Sequence, residues 1–209
     1  LVFWFLTTPY FTVVTKDQSH NVLADLIEGF QYIWYKNRVL LYLALVALIP
    51  NTLLEPALFM LPVFTSEVLR QGADVGGYLM AIDGFGGVVM GITLSSVGFI
   101  FPRGKVMLIS VIVSAAAVLV FSHSYILPLA ISVILIRASA LAVNRAATIV
   151  LLQSLSTPEM RVRVVSLITY SASLSIIVSV FLGWLAGYTS IPISLAILGF
   201  VGLLLGMFC

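Results

Sequence analysis

Charge is what this sequence has least of. Of its 209 residues only 9% are charged, 10 Lys and Arg against 8 Asp and Glu, while 61% are hydrophobic. Soluble domains average about half apolar and about a quarter charged, so the chain falls outside that class before any motif is read. A single cysteine, Cys209, allows no internal disulfide. The two histidines, His20 and His123, have no Cys or His at metal-ligand spacing, so nothing points to a metal or to a cofactor. There is no glycine-rich loop between a strand and a helix, no nucleophile elbow and no nucleotide-binding domain, which leaves neither an enzyme nor ATP-driven work supported. The net charge of +2 is too small and too scattered to argue for nucleic acid.

What the chain has instead is long apolar runs. About 20 residues at ~1.5 Å each cross a hydrocarbon core of roughly 30 Å. Six runs fit that length: Val39 to Thr65, Val75 to Phe101, Lys105 to Ser122, Tyr125 to Leu152, Val164 to Gly187, and Ile191 to the end. The gaps between them are short, so residues 39–209 are expected to form one all-α, polytopic transmembrane helix bundle. The lipid bilayer is then the first partner. The apolar run 1–14 is too short to span and lacks the basic leader of a signal peptide, and is expected to be the tail of a preceding helix. The last helix, closing at Cys209 without polar flanks, is expected to be truncated.

Orientation follows from the basic residues, because cytoplasmic loops retain Lys and Arg during insertion. Lys16, Lys36, Arg38, Arg103, Lys105, Arg161 and Arg163 fall in alternate connections, and Arg70 alone falls on the other side. The connections holding Arg103 and Arg161 are therefore expected in the cytoplasm. In the preceding linker, residues 15–38, Val22, Leu23, Leu26, Phe30, Ile33 and Trp34 share one helical face and Asp25, Glu28 and Tyr32 another. That pattern predicts an amphipathic helix lying on the membrane surface.

Three segments carry a family resemblance: Asp25 to Trp34 (DLIEGFQYIW), Leu61 to Leu69 (LPVFTSEVL) and Pro158 to Val164 (PEMRVRV). In that order, against that topology, and continuing to the GWLAGY of Gly183 to Tyr188, the chain resembles the carboxy-terminal half of a major facilitator superfamily transporter, in the enterobactin and macrolide exporter-like branch. The resemblance implies a six-helix half of a twelve-helix protein, with the amino-terminal half as its missing partner. It departs from the family where Ser95 and Ser96 stand in place of a usual acid, leaving only Arg103, Gly104 and Lys105 of the basic loop, and where Val162 replaces the usual Gly between Arg161 and Arg163.

Four charges interrupt the apolar runs: Glu55, Asp83, Arg137 and Arg145. One charge near a bilayer centre costs roughly 3 kcal/mol unless it faces protein or water, so these residues are the candidate functional ones. Glu55 lies 16 residues past Val39 and Arg137 lies 12 past Tyr125, so both are expected near mid-membrane, where they could meet. Asn51 precedes Glu55 by one turn, and Pro50, Pro56 and Pro62 interrupt the same helix, freeing backbone groups as broken transporter helices do. Arg137 shares its helical face with Asn144 and Thr148. Two readings stand for Glu55 and Arg137, substrate or proton handling and a structural ion pair.

Asp83 shares a face with Gly76 and Gly87, and Gly87 with Gly91 forms a GxxxG pair that invites close helix packing. A carboxylate buried there is a candidate for reversible protonation, or for a structural hydrogen bond. Arg145 lies seven residues before Leu152 and is expected to snorkel to the interface. Phe59, Tyr170 and Ser173 are candidates to line a central cavity. The resemblance implies alternating-access export of small amphipathic molecules, such as drugs or siderophores, by proton antiport across a bacterial inner membrane. The competing class is a polytopic receptor or scaffold, which would need no polar stripe in mid-membrane.

Overall fold

The computed structural model describes residues 38–100, 102–156 and 161–208, with side chains described from residue 42 onward except at 73 and 161–172. The expected helix tail over 1–14 and the surface helix in 15–37 lie outside the described residues. Among the described residues there is helix and no strand.

The first span is not one helix. Its pieces are α1 (Arg38–Ile49), a π-helical turn (Pro50–Leu54), α2 (Pro56–Phe59) and α3 (Leu61–Glu67). Each interruption falls at a proline, which lacks an N–H and presses its ring on the carbonyl one turn back. The backbone answers with a wide turn followed by tight ones. Glu55 N–H reaches back five residues to Pro50 O at 3.0 Å, while Leu58 N–H stops three residues back at Glu55 O, also 3.0 Å.

Unbroken helices follow: α4 (Ala73–Val97), α5 (Arg103–Ser122), α6 (Leu127–Leu155), α7 (Arg161–Tyr188) and α8 (Ile191–Phe208). Gly98 ends α4 with φ +72°, a conformation only glycine takes without strain, and its N–H caps Leu94 O at 2.9 Å. Among the described residues, five stretches are long and apolar enough to cross a membrane: Tyr42–Phe59, Asp74–Val97, Arg103–Ser122, Leu127–Leu155 and Ile191–Phe208. The remaining expected span falls on α7, of whose 28 residues the apolar stretch Ser173–Tyr188 has described side chains. Helices of this length and composition, joined by short turns, are the architecture of an integral membrane protein.

The core lies where the broken span, α4, α5, α6 and α8 converge. Leu54, Phe64, Leu79, Val118, Ile134 and Leu195 are buried there, and the rings of Phe64 and Phe121 meet at 4.4 Å. Lipid removes the hydrophobic incentive for helices to associate, so close packing must hold them, and glycine supplies it. A Cβ on Gly199 would lie 2.8 Å from Leu119 N, so α8 sits backbone to backbone on α5. Gly86 does the same for α4, where a Cβ would fall 2.9 Å from Ala138 Cβ and 3.2 Å from Leu135 O of α6.

The glycine expectations for α4 divide accordingly. A Cβ on Gly76 would lie 3.0 Å from Pro62 Cα, but Cβ atoms on Gly87 and Gly91 would meet nothing within 4 Å among the described residues. The contact with α6 is made by Gly86, one position over, because 100° of helix rotation separates neighbours. The outward faces of α4 and α7 carry Tyr78, Phe85, Ile92, Ile177 and Trp184, all exposed, a surface for hydrocarbon rather than water.

Candidate functional site: two ion pairs at a broken helix

Gly86 and Asp83 are three residues apart and so share one face of α4. The close approach at Gly86 therefore brings the Asp83 carboxylate to α6, where Arg137 precedes Ala138. Arg137 Nη2 donates to Asp83 Oδ1 at 2.6 Å, a charge-assisted contact in which the arginine side chain is 5% and the carboxylate 15% exposed.

The other terminal nitrogen completes the arrangement. Arg137 Nη1 donates to Leu54 O at 3.3 Å. That carbonyl is available because the break redirects Leu58 N–H to Glu55 O. One buried guanidinium thus ties α4 and α6 to the last residue of the π turn, satisfying both a carboxylate and an orphaned backbone acceptor.

Glu55 takes a different partner from the one its depth predicted. Its Oε2 lies 2.9 Å from Arg145 Nη2, in a pair whose side chains are 22% and 50% exposed. The geometry is not that of a directed hydrogen bond, so the contact is one of charge with charge. The expected Glu55–Arg137 pair is replaced by Glu55–Arg145 and Asp83–Arg137. Depth along the axis was nearly right, since Leu54 meets Arg137. Rotation was not, because a π turn advances the chain through fewer degrees per residue than an α-helix and turns Glu55 toward Arg145 rather than Arg137. Arg145, expected to reach the interface alone, is half-exposed and paired.

The polar residues around these pairs hold helices together. Asn144 is buried and donates to Met107 O at 3.1 Å and Ser110 Oγ at 3.2 Å, joining α6 to α5. Asn51 bonds its own helix at Ala47 O, 3.2 Å away. Thr148 and Ser114 are buried, and their hydroxyls have no hydrogen-bond partner among the described residues. Phe59 and Ser173 are exposed. Tyr170, Arg161 and Arg163 fall on α7 where side chains are not described, and Arg103 and Lys105 stand exposed at the start of α5. Gly86 is the site residue that reading the sequence missed; its signal was the three-residue step from Asp83.

The chemistry open to this arrangement is charge exchange. Protonation of Asp83 would leave Arg137 buried with only a carbonyl to hold, and loss of one partner from a buried pair costs on the order of 3–5 kcal/mol. Among the described residues no group of three His, Cys, Asp or Glu could hold a metal ion. No protein-family model, curated protein or solved structure matches the chain.

Proposed function

We propose that the chain is the carboxy-terminal half of a major facilitator-type secondary transporter, exporting small amphipathic molecules in exchange for protons across a bacterial cytoplasmic membrane. The observation that carries this reading is Arg137, buried between the Asp83 carboxylate and the Leu54 carbonyl at the break of a spanning helix. A scaffold has no need of a paired charge at a broken mid-membrane helix, and intramembrane charges are functional by default.

In this reading a proton from the outer side neutralises Asp83 as substrate leaves. Arg137 then loses its carboxylate, the tie between α6 and α4 is released, and the two six-helix halves are free to rock about a central site. Glu55 of the broken span and Arg145 of α6 form a second, looser pair, and Phe59 and Ser173 line the substrate path with side chains from the other half.

The test is flux from loaded vesicles holding the full-length protein, driven by an imposed proton gradient. Asp83→Asn and Glu55→Gln are expected to lower gradient-driven export by tenfold or more in at least one case. Unchanged flux in both would sink the assignment of the proton site, and a wild-type protein that moves none of a panel of amphipathic cations and siderophores would favour the receptor or scaffold.

A further inference from the structure

Away from the ion pairs, α4, α5 and α6 enclose an apolar groove of about 480 Å³, open along one side and lined by Met90, Val106, Val113, Leu135, Ser139 and Val143 among others. Its α5 wall continues into charge. Arg103, Val106, Ser110 and Val113 follow one another at steps of three and four residues and so lie along one helical face, and Lys105 heads the adjacent row with Ile109 and Val113. Arg103 is about 4.5 Å of helix rise beyond Val106, at the groove's end.

Both basic side chains are exposed, and neither forms an ion pair among the described residues. The Arg103 guanidinium rests over the Phe99 ring, 5.9 Å from its centroid. The first turn of α5 contains no acid to neutralise the two cations. An open hydrocarbon slot with two exposed cations about one helical turn beyond it, neither paired with an acid among the described residues, is complementary to one kind of molecule, an anion attached to an acyl chain.

We propose that this groove binds a single anionic phospholipid, with one acyl chain between Met90, Val113 and Val143 and its phosphate on Arg103 and Lys105. The lipid comes from the leaflet on the Arg103 side of the membrane. It fills space between three helices whose polar ties, Asn144 to Met107 and Ser110, lie directly behind the groove wall. This site is separate from the proton and substrate reading and stands without it.

The experiment uses the full chain, reconstituted in vesicles of equal phosphatidylglycerol and phosphatidylcholine with identical acyl chains, extracted in mild detergent and weighed by native mass spectrometry. A basic side chain at a membrane surface favours an anionic lipid on the order of fivefold, so one retained phosphatidylglycerol is expected at about tenfold or more over phosphatidylcholine. The double variant R103Q/K105Q is expected to bring that ratio near one, and Ser139→Phe, which fills the slot, to abolish retention. A second measurement on the wild type avoids any folding defect: glycerol phosphate, a headgroup without a chain, should leave the lipid in place, and dodecyl phosphate should displace it. Equal retention of the two lipids by the wild type, a preference that survives R103Q/K105Q, or displacement by glycerol phosphate would overturn the proposal.

Discussion

Arg137 and Asp83 meet at 2.6 Å across α6 and α4, and the same guanidinium reaches the Leu54 carbonyl in the broken first span. Three helices therefore depend on one side chain. Removing Arg137 alone leaves a carboxylate in an apolar bundle, so Arg137→Gln is expected to destabilise the detergent-solubilised protein by about 3 kcal/mol. Replacing both partners, as in Asp83→Leu with Arg137→Met, should recover most of that loss. A double-mutant cycle on thermal or denaturant unfolding measures it, and additive losses would show that the two residues are not coupled.

The Glu55–Arg145 pair predicts a weaker response. Arg145 is half-exposed and the contact lacks hydrogen-bond geometry. Arg137 by contrast donates to both a carboxylate and a carbonyl. Glu55→Gln should therefore shift stability less than Arg137→Gln in the same unfolding assay, and a loss as large as that of Arg137→Gln would show that the contact of charge with charge holds the helices as firmly as the hydrogen-bonded pair.

Glycines on α4 separate by one position. A Cβ on Gly86 would press on Ala138 Cβ and Leu135 O, whereas one on Gly87 would meet nothing within 4 Å among the described residues. Gly86→Ala is expected to cost about 1–3 kcal/mol through overpacking, and Gly87→Ala to stay within roughly 0.5 kcal/mol. The comparison is read from unfolding midpoints of the two variants. Gly86→Leu should also part Arg137 from Asp83 and lower any transport.

Asn144 ties α6 to α5 through two acceptors, Met107 O and Ser110 Oγ. Interhelical hydrogen bonds in membranes average about 0.6 kcal/mol, so Asn144→Leu is expected to lose on the order of 1 kcal/mol of stability. Its role as a tie predicts slower flux at most, with the dependence on the proton gradient unchanged; loss of gradient dependence in vesicles would place Asn144 in the proton path instead.

Composition and periodicity settled the class of this protein by themselves. A chain with 61% hydrophobic residues in runs of span length has few structures open to it in water, and in lipid every backbone polar group must be bonded internally, so helices follow. Pro50, Pro56 and Pro62 likewise marked the break, because a missing N–H acts locally wherever the residue sits.

Partnership was beyond such local rules. Glu55, Asp83, Arg137 and Arg145 were visible as anomalies, yet which acid meets which base depended on the rotation introduced by one π turn and on Gly86 drawing α4 against α6. The groove beside Arg103 and Lys105 is of the same kind, formed by side chains from three helices that are up to 53 positions apart in the chain, from Met90 to Val143. Helical pitch places a residue at a depth and on a face of its own helix, but contact between helices is decided by packing, and only the tertiary structure holds that.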